Sequence, residues 1–383
     1  MIRQGTLESP GTTRPVRLAA VGDLMLGDSS ICTGYGFGSR YTEADFAAAM
    51  AGVRTLFGSA DIVFGNLECC LSQHGHDPLQ RSSTHLRGRP GYATSLRGAG
   101  FDIVSVANNH SFQHGLRVFD ETVALLREAG VACCGIRGTD PWCSDPVLIE
   151  AGDRRLGFLG YCLRPRQYSP ETPPYAEGDE ASISADIRRL KPDVDHVIVS
   201  LHWGEEYVSE SSEEEVELGH ALIDAGASLI LGHHPHVPRP VERYREGVIA
   251  YSLGNFMSDM IWYEPLRNTV VLDVALNDVA SDVRVRRLRI GDDLLPAAPS
   301  PPVVEGAVRE VTRLGESHYR REVARTVREA RWAGYRYAVA NARRFRSPTL
   351  RQLIVTTARN KLKALLRRVV GHRSRSAPGM QKV

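Results

Sequence analysis

Apolar and polar positions along the chain repeat one unit, a short run of Val, Ile, Leu and Ala followed by a longer stretch with helical spacing. Strands are predicted at "VRLAAVGD" (16–23), "DIVFGN" (61–66), "FDIVSVAN" (101–108), "VACCGI" (131–136) and "RLGFLGYC" (155–162). Further strands are predicted at "HVIVSLHW" (196–203), "SLILGH" (228–233), "GVIAYSLGN" (247–255), "TVVLDVAL" (269–276) and "DVRVRRLRI" (282–290). Several early runs are apolar without alternation, as strands covered on both faces are. The late ones alternate with polar residues and read as antiparallel. Helical spacing fills Glu43 to Phe57, Leu116 to Ala129 and Glu213 to Ala225. The first and third open on acidic turns, which suit a helix N-terminus, and the last two stop at Gly130 and Gly226. Strands alternating with helices of this length predict a layered α/β domain over 16–291.

After Gly291 the pattern changes. "DDLLPAAPSPPVVEG" reads as a Pro-rich linker, taken as 292–304, and an Arg-rich helical extension is predicted over 305–370, in two pieces at about 305–345 and 348–370. The segments 1–15 and 371–383 read as disordered. Charge follows the same division. From Pro301 onward there are 20 Lys/Arg against 5 Asp/Glu, leaving 27 basic and 40 acidic residues before it, so an acidic body carries a basic tail. The seven cysteines, with no C-x-x-C, read as reduced, buried thiols. "MIRQGTLESPGTTRPVRL" has no apolar core of a signal peptide, and no run reaches the roughly 18 apolar residues of a membrane span. The expected location is therefore the cytoplasm, with attachment at the membrane periphery as its variant.

The chemistry sits where the strands end. The first strand ends in Gly22-Asp23, the second in Asn66-Leu67-Glu68, the third in Asn108-Asn109-His110, a later one in His202, and another in His233, His234 and His236. Three histidines in four positions after an aliphatic strand are poor strand fillers and good metal ligands. In a parallel sheet these carboxyl ends lie along one edge and converge on one crevice. Mixed carboxylate, amide and imidazole donors without thiolate suit Mn, Fe, Zn or Ca, and also a carboxylate-bridged pair of metals that activates a water.

"GDLMLG", "DIVFGNLECCLS", "FDIVSVANNHSFQHG", "VIVSLHWGEEY", "LILGHHPHVPRPVE" and "IAYSLGNF" together resemble the CapA family of capsule and poly-γ-glutamate synthesis proteins, over about residues 16–275. That family is similar in turn to the calcineurin-like metallophosphoesterases. The resemblance implies a four-layer α/β/β/α sandwich holding two divalent metal ions, here with a C-terminal helical extension. It makes Asp23 a ligand of the first metal and Glu68 the bridging or second-metal carboxylate. Asn109 would ligate the second metal, His110 would be the general acid or base, and His202, His234 and His236 would be ligands, with His233 supporting a neighbour. There are departures. Met25 stands where the phosphoesterases carry the histidine of D-x-H, and Gln113-His114 stand where the family usually has an acidic residue. No stretch of this sequence is expected to serve as the family's membrane anchor.

Arg87 matches an arginine the family usually carries and would reach an anionic substrate group; a solvated loop arginine reads as well. Asn108 is a supporting amide, Asn255 is either a supporting amide or the cap of a loop, and Trp203 either stacks on substrate or packs in the core. His74, His76, His85, His196, His220, His318 and His372 are expected at the surface. The basic tail suits docking on the acidic body, a protein partner or an acidic membrane surface, and no nucleic acid is expected. The leading expectation is a dinuclear hydrolase of a phosphoester or amide-type bond with an anionic or peptide-like substrate. Two others stand beside it: a peptide Cα epimerase of a lasso-peptide type pathway, in which Asp23 or His110 exchanges the proton, and a non-catalytic scaffold of a polymer-synthesis complex.

Overall fold

The computed structural model describes residues 14–77, 81–140, 142–341 and 344. Two sheets face each other. In the first, Val16–Leu24 lies at the centre, with Ile62–Asn66, Ile103–Ser105 and Ala132–Cys134 following in parallel on one side. On its other side Asn268–Leu276 and Ala280–Ile290 run antiparallel, and Asn255–Met257 pairs in parallel with its end. In the second sheet Arg154–Cys162, His196–His202, Leu229–His233 and Gly247–Ala250 are parallel neighbours, edged by antiparallel Val147–Ala151 and Val241–Tyr244. The parallel strands Ile62–Asn66, His196–His202 and Leu229–His233 are buried at every position, whereas Ala280–Ile290 (11 residues) buries only Ala280, Val285, Leu288 and Ile290, which is why the former read as unbroken apolar runs and the latter is interspersed with polar residues.

Three apolar layers hold these parts together. Between the sheets, Leu18, Phe64 and Ile103 meet Phe158, Ile198 and Leu231, with Phe64 and Phe158 stacked at 6.2 Å. Outside the first sheet, helices Glu43–Arg54, Tyr92–Ala99 and Leu116–Glu128 bury Phe46, Leu96 and Phe119. Outside the second, Glu180–Leu190 and Glu213–Asp224 bury Ile187 and Leu222. This is the four-layer α/β/β/α order. The helices after Thr42 and Ser212 start on full capping boxes with Asp45 and Glu215, so those acidic first turns also cap.

The stretch expected as a free Pro-rich linker instead runs along the first sheet: Pro296–Ala297 and Val303–Glu305 both pair with Ala280–Ile290. Proline is tolerated there because an edge strand leaves its outer side unpaired. The extension's helix begins at Glu316, not at 305, because Arg313–Leu314 pairs with Ser211–Ser212 of the body. Helix Glu316–Ala340 docks on the body through Tyr319, Ala330 and Gly334; a Cβ at Gly334 would come within 2.7 Å of Ile31. The helix expected at 348–370 and the tail 371–383 lie outside the described residues, as do residues 1–13. Among the described residues no helix is long and apolar enough to cross a membrane. All seven cysteines are unpaired and six are buried. His196, expected at the surface, is buried, its ring bonded to Ser228 Oγ (3.1 Å) and the Asn277 carbonyl (2.7 Å). As the first residue of a strand covered on both faces it is enclosed by its neighbours.

Candidate metal centre

Parallel register sets the carboxyl ends side by side. Asp23 pairs across to Asn66 and Asn255, and His202 to His233 and Cys162. The two sheets bring these ends together at one edge of the sandwich. Close approach demands glycine before the site residues: a Cβ on Gly22 would lie 1.8 Å from the Gly254 carbonyl oxygen, and one on Gly232 would lie 2.3 Å from that of Tyr251.

Oxygen donors come from the first sheet. Asp23 is fully buried; its Oδ1 accepts from Asn66 Nδ2 (2.8 Å), and its Oδ2 lies 3.2 Å from His236 Nδ1. His233 Nδ1 stands 3.3 Å from Asp23 Oδ1 without the alignment of a hydrogen bond. Glu68 is also fully buried. Its Oε1 lies 3.5 Å from His202 Nε2 and 3.9 Å from His110 Nε2, its Oε2 lies 3.8 Å from His236 Nδ1, and neither oxygen has a hydrogen-bond partner. Nitrogen donors come from the second sheet. His202 Nε2 meets Asn109 Oδ1 at 2.9 Å and its ring lies 4.8 Å from that of His234, both of whose nitrogens are buried and unpartnered. His234 (φ 95°), His236 (φ 61°) and Tyr207 (φ 72°) all hold left-handed backbone, costly for residues with a Cβ and concentrated at this one place.

The electrostatics fit a site built for cations. Burial acts to raise the Asp23 carboxyl, but the His233 and His236 imidazoles outweigh it and hold Asp23 well below the usual carboxylate range. Burial pushes Glu68 well up, and the Asp23 charge adds to this against the pull of His236. Burial drives His202 and His234 well below the usual imidazole range. Burial also acts to lower His236, yet Glu68 and Asp23 carry it up to about 10. Three overlapping groups have ligand atoms within 4.8 Å of one another: Asp23, Glu68 and His236; Glu68, His202 and His234; and Glu206, His234 and His236. A buried carboxylate with two empty oxygens beside an imidazole with two empty nitrogens lacks partners that a divalent cation would supply. The residues present therefore fit such an ion.

The other expected residues divide. Asn108 faces away from the cations' place and spends its whole amide on architecture: Nδ2 donates to Asn66 Oδ1 and the Leu67 carbonyl, and Oδ1 accepts from His110 N, Ser111 N and Ser111 Oγ. Asn255 Oδ1 accepts from His236 Nδ1 at 3.0 Å. His110 Nδ1 donates to Gln113 Oε1 (2.7 Å), so the residue standing where an acidic one was expected orients this ring, which burial lowers to about 4. Arg87 donates to the His74 carbonyl (2.6 Å) and lines a separate cavity with Asp28, Ser39 and His76. Trp203 needs correction: it is a core residue, stacked on Tyr251 at 5.9 Å and donating to its carbonyl. Successive side chains at the end of a strand face opposite ways, so with His202 in the site Trp203 turns into the helix layer. Met25 likewise turns into the outer core, its sulfur accepting from Ser258 Oγ. Sequence reasoning placed Asn66 at a strand end without giving it a role, and missed Glu206. Asn66 ends its strand level with Asp23, and Glu206 lies four residues past His202 in the quoted "HWGEEY".

The family model described as bacterial capsule synthesis protein PGA_cap matches residues 17–260. The capsule biosynthesis protein CapA of Bacillus anthracis is 28% identical over 256 residues, covering 64% of this chain and 60% of that protein. The PGA biosynthesis protein CapA of Bacillus subtilis (strain 168) is 28% identical over 247 residues, covering 63% of each. The chain thus spans about three-fifths of the length of these relatives. Among solved structures, a putative 5'-nucleotidase from Staphylococcus aureus overlays with a TM-score of 0.44 at 16% identity, covering 81% of this chain and 58% of that one. A hypothetical protein from Thermus thermophilus overlays with a TM-score of 0.41 at 21% identity, covering 76% of this chain and 99% of that one. The family match runs through every strand that carries a donor and covers more than half of the chain, which belongs to the PGA_cap family of bacterial capsule synthesis proteins.

Proposed function

We propose that the chain is a dinuclear, divalent-metal-dependent hydrolase of a phosphoester or amide-type bond, working on an anionic polymer or peptide of the capsule or poly-γ-glutamate kind. The observation that carries this reading is Glu68, fully buried with both carboxylate oxygens unpartnered, between His236 on one side and His202 on the other. Glu68 is shared by the group with Asp23 and His236 and the group with His202 and His234, as a carboxylate spanning two cations is; Asn109, bonded to His202, belongs with the second. Bound divalent cations would supply Lewis acidity to the scissile group and to an attacking water. Asn66 holds Asp23 in place, and Asn255 fixes the tautomer of His236. His110 donates its Nδ1–H in a hydrogen bond to Gln113 Oε1, so the ring is neutral at pH 7 with its basic Nε2 turned toward Glu68. It takes a proton from water as the O–H bond breaks and passes it to the departing oxygen or nitrogen, while the hydroxyl joins phosphorus or the acyl carbon. The Tyr168 ring, 5.1 Å away, shields it on one flank.

Elemental analysis of the purified chain beside a His234→Ala/His236→Ala variant tests this. Close to two metals per chain, lost in the variant, with cleavage of a phosphoester or a γ-glutamyl peptide under that metal, is the expected result. Deuterium entering a peptide from heavy water without cleavage would replace hydrolysis by epimerisation. No metal after reconstitution with Mn, Fe, Zn and Ca would sink both, leaving the scaffold.

A further inference from the structure

We propose that Glu206 is a third carboxylate ligand of the centre. The assignment rests on the dinuclear reading above and adds a residue to it. Its carboxylate oxygen and the ring nitrogens of His234 and His236 lie within 4.8 Å of one another. Met25, two residues past Asp23, faces the outer core and offers the centre no donor.

The loop carrying Glu206 is fastened to the histidine loop at both ends. Trp203 N donates to the His233 carbonyl (3.1 Å) and Tyr207 N to that of Pro235 (2.8 Å). The buried Arg239 holds the carbonyls on either side of Glu206, that of Glu205 (3.2 Å) and that of Val208 (2.8 Å). Tyr207 keeps a left-handed backbone immediately after it. Restraints on four residues, Trp203, Glu205, Tyr207 and Val208, fix the backbone that carries this one carboxylate, which a solvated surface glutamate does not need. The charge is also in the wrong place for a bystander. Glu206 shares His236 with Asp23 and Glu68, and His234 with Glu68, so a third acidic side chain stands beside two buried ones. That arrangement is unfavourable until cations enter. With two divalent ions and three carboxylates the loaded centre keeps a single positive charge, which matches one anionic oxygen of a phosphate or carboxylate substrate.

Titration of Mn into the chelator-stripped full chain, followed by calorimetry and by the Mn electron paramagnetic resonance line shape, decides the matter. In Glu206→Gln one of the two binding steps should weaken by at least the roughly tenfold that loss of a ligand's supporting partner costs, and the line shape should change. Glu206→Asp, which keeps the charge but draws it back, should fall between. Glu205→Gln, whose carboxylate pairs with Arg164, should titrate as the parent. A Glu206→Gln isotherm equal to the parent's overturns this assignment alone. A parent chain that binds no Mn, Fe, Zn or Ca overturns it together with the dinuclear reading.

Discussion

The first sheet brings the buried carboxylates of Asp23 and Glu68 to the common edge and the second brings the imidazoles of His202, His234 and His236, and each half is held in place by different means. On the first side a side-chain relay does the work: Asn108 donates to Asn66, which donates to Asp23. On the second side the backbone does it, through left-handed turns at His234 and His236. Neither half has a complete donor set. Glu68 needs His202 and His236 from across the gap, and the unpartnered His234 needs a cation that Glu68 also reaches. A centre divided in this way depends on how firmly the sheets are joined, and it rewards joining them.

The most severe break should come from the join itself. Phe158→Ala removes one ring of the stacked pair between the sheets and should cost about 3–5 kcal/mol in denaturant unfolding, with cation affinity falling as well. A Phe158→Ala chain within about 1 kcal/mol of the parent, the ordinary cost of an arbitrary substitution, would mean the halves are held elsewhere. Next comes the seam. A cation at about a thousand times its Kd should stabilise the parent by about 4 kcal/mol, read as a thermal shift that chelator reverses. Glu68→Gln should lose that shift, yet in chelator be at least as stable as the parent, because it removes a buried carboxyl with no partner.

Acid sharpens the comparison on the first side. His114, bonded to Gln113 beneath His110, is lowered to about 4 from 6.5, chiefly by burial. The unfolded chain then binds more protons than the folded one between those values, so the metal-free protein should lose stability as pH falls from about 6.5 to about 4. His114→Gln should lessen the slope of that part of the unfolding-versus-pH curve, the rest coming from His110, His202 and His234, which burial also lowers. The smallest effect belongs to the second side. Trp203→Phe gives up one buried hydrogen bond to the Tyr251 carbonyl and should cost about 1 kcal/mol with cation uptake unchanged; a loss of uptake would return Trp203 to the site.

What could be read from the sequence was whatever local pattern controls. Unbroken apolar runs ending in Asp, Asn or His marked both the parallel strands and the donors at their ends, because parallel register puts those ends on one edge. Three things depended on the rest of the molecule. Glu205 and Glu206 are adjacent and chemically alike, and only the Tyr207 turn and the Arg239 clamp decide which one faces the histidines. Trp203, open in the sequence between stacking on substrate and packing in the core, is settled by its place next to His202, since neighbours at a strand end face opposite layers. The prolines near 296 and 301 signal a linker by composition, yet Ala280–Ile290 has an open side against which the chain pairs.

The contact between Tyr319 and the site loop links regions far apart in the sequence. The Tyr319 hydroxyl accepts from Glu205 N (3.2 Å) and from Arg239 Nη2 (3.1 Å), so the first turns of helix Glu316–Ala340 close the same hydrogen-bonded ring that fixes the loop after His202. Opening one end of that ring exposes the buried Arg239 and its carbonyl partners, so helix and loop should open as a single cooperative unit. Amide hydrogens near residue 319 and near residue 206 would then exchange with solvent at a common rate, and whatever settles the loop would slow exchange in the helix to the same degree.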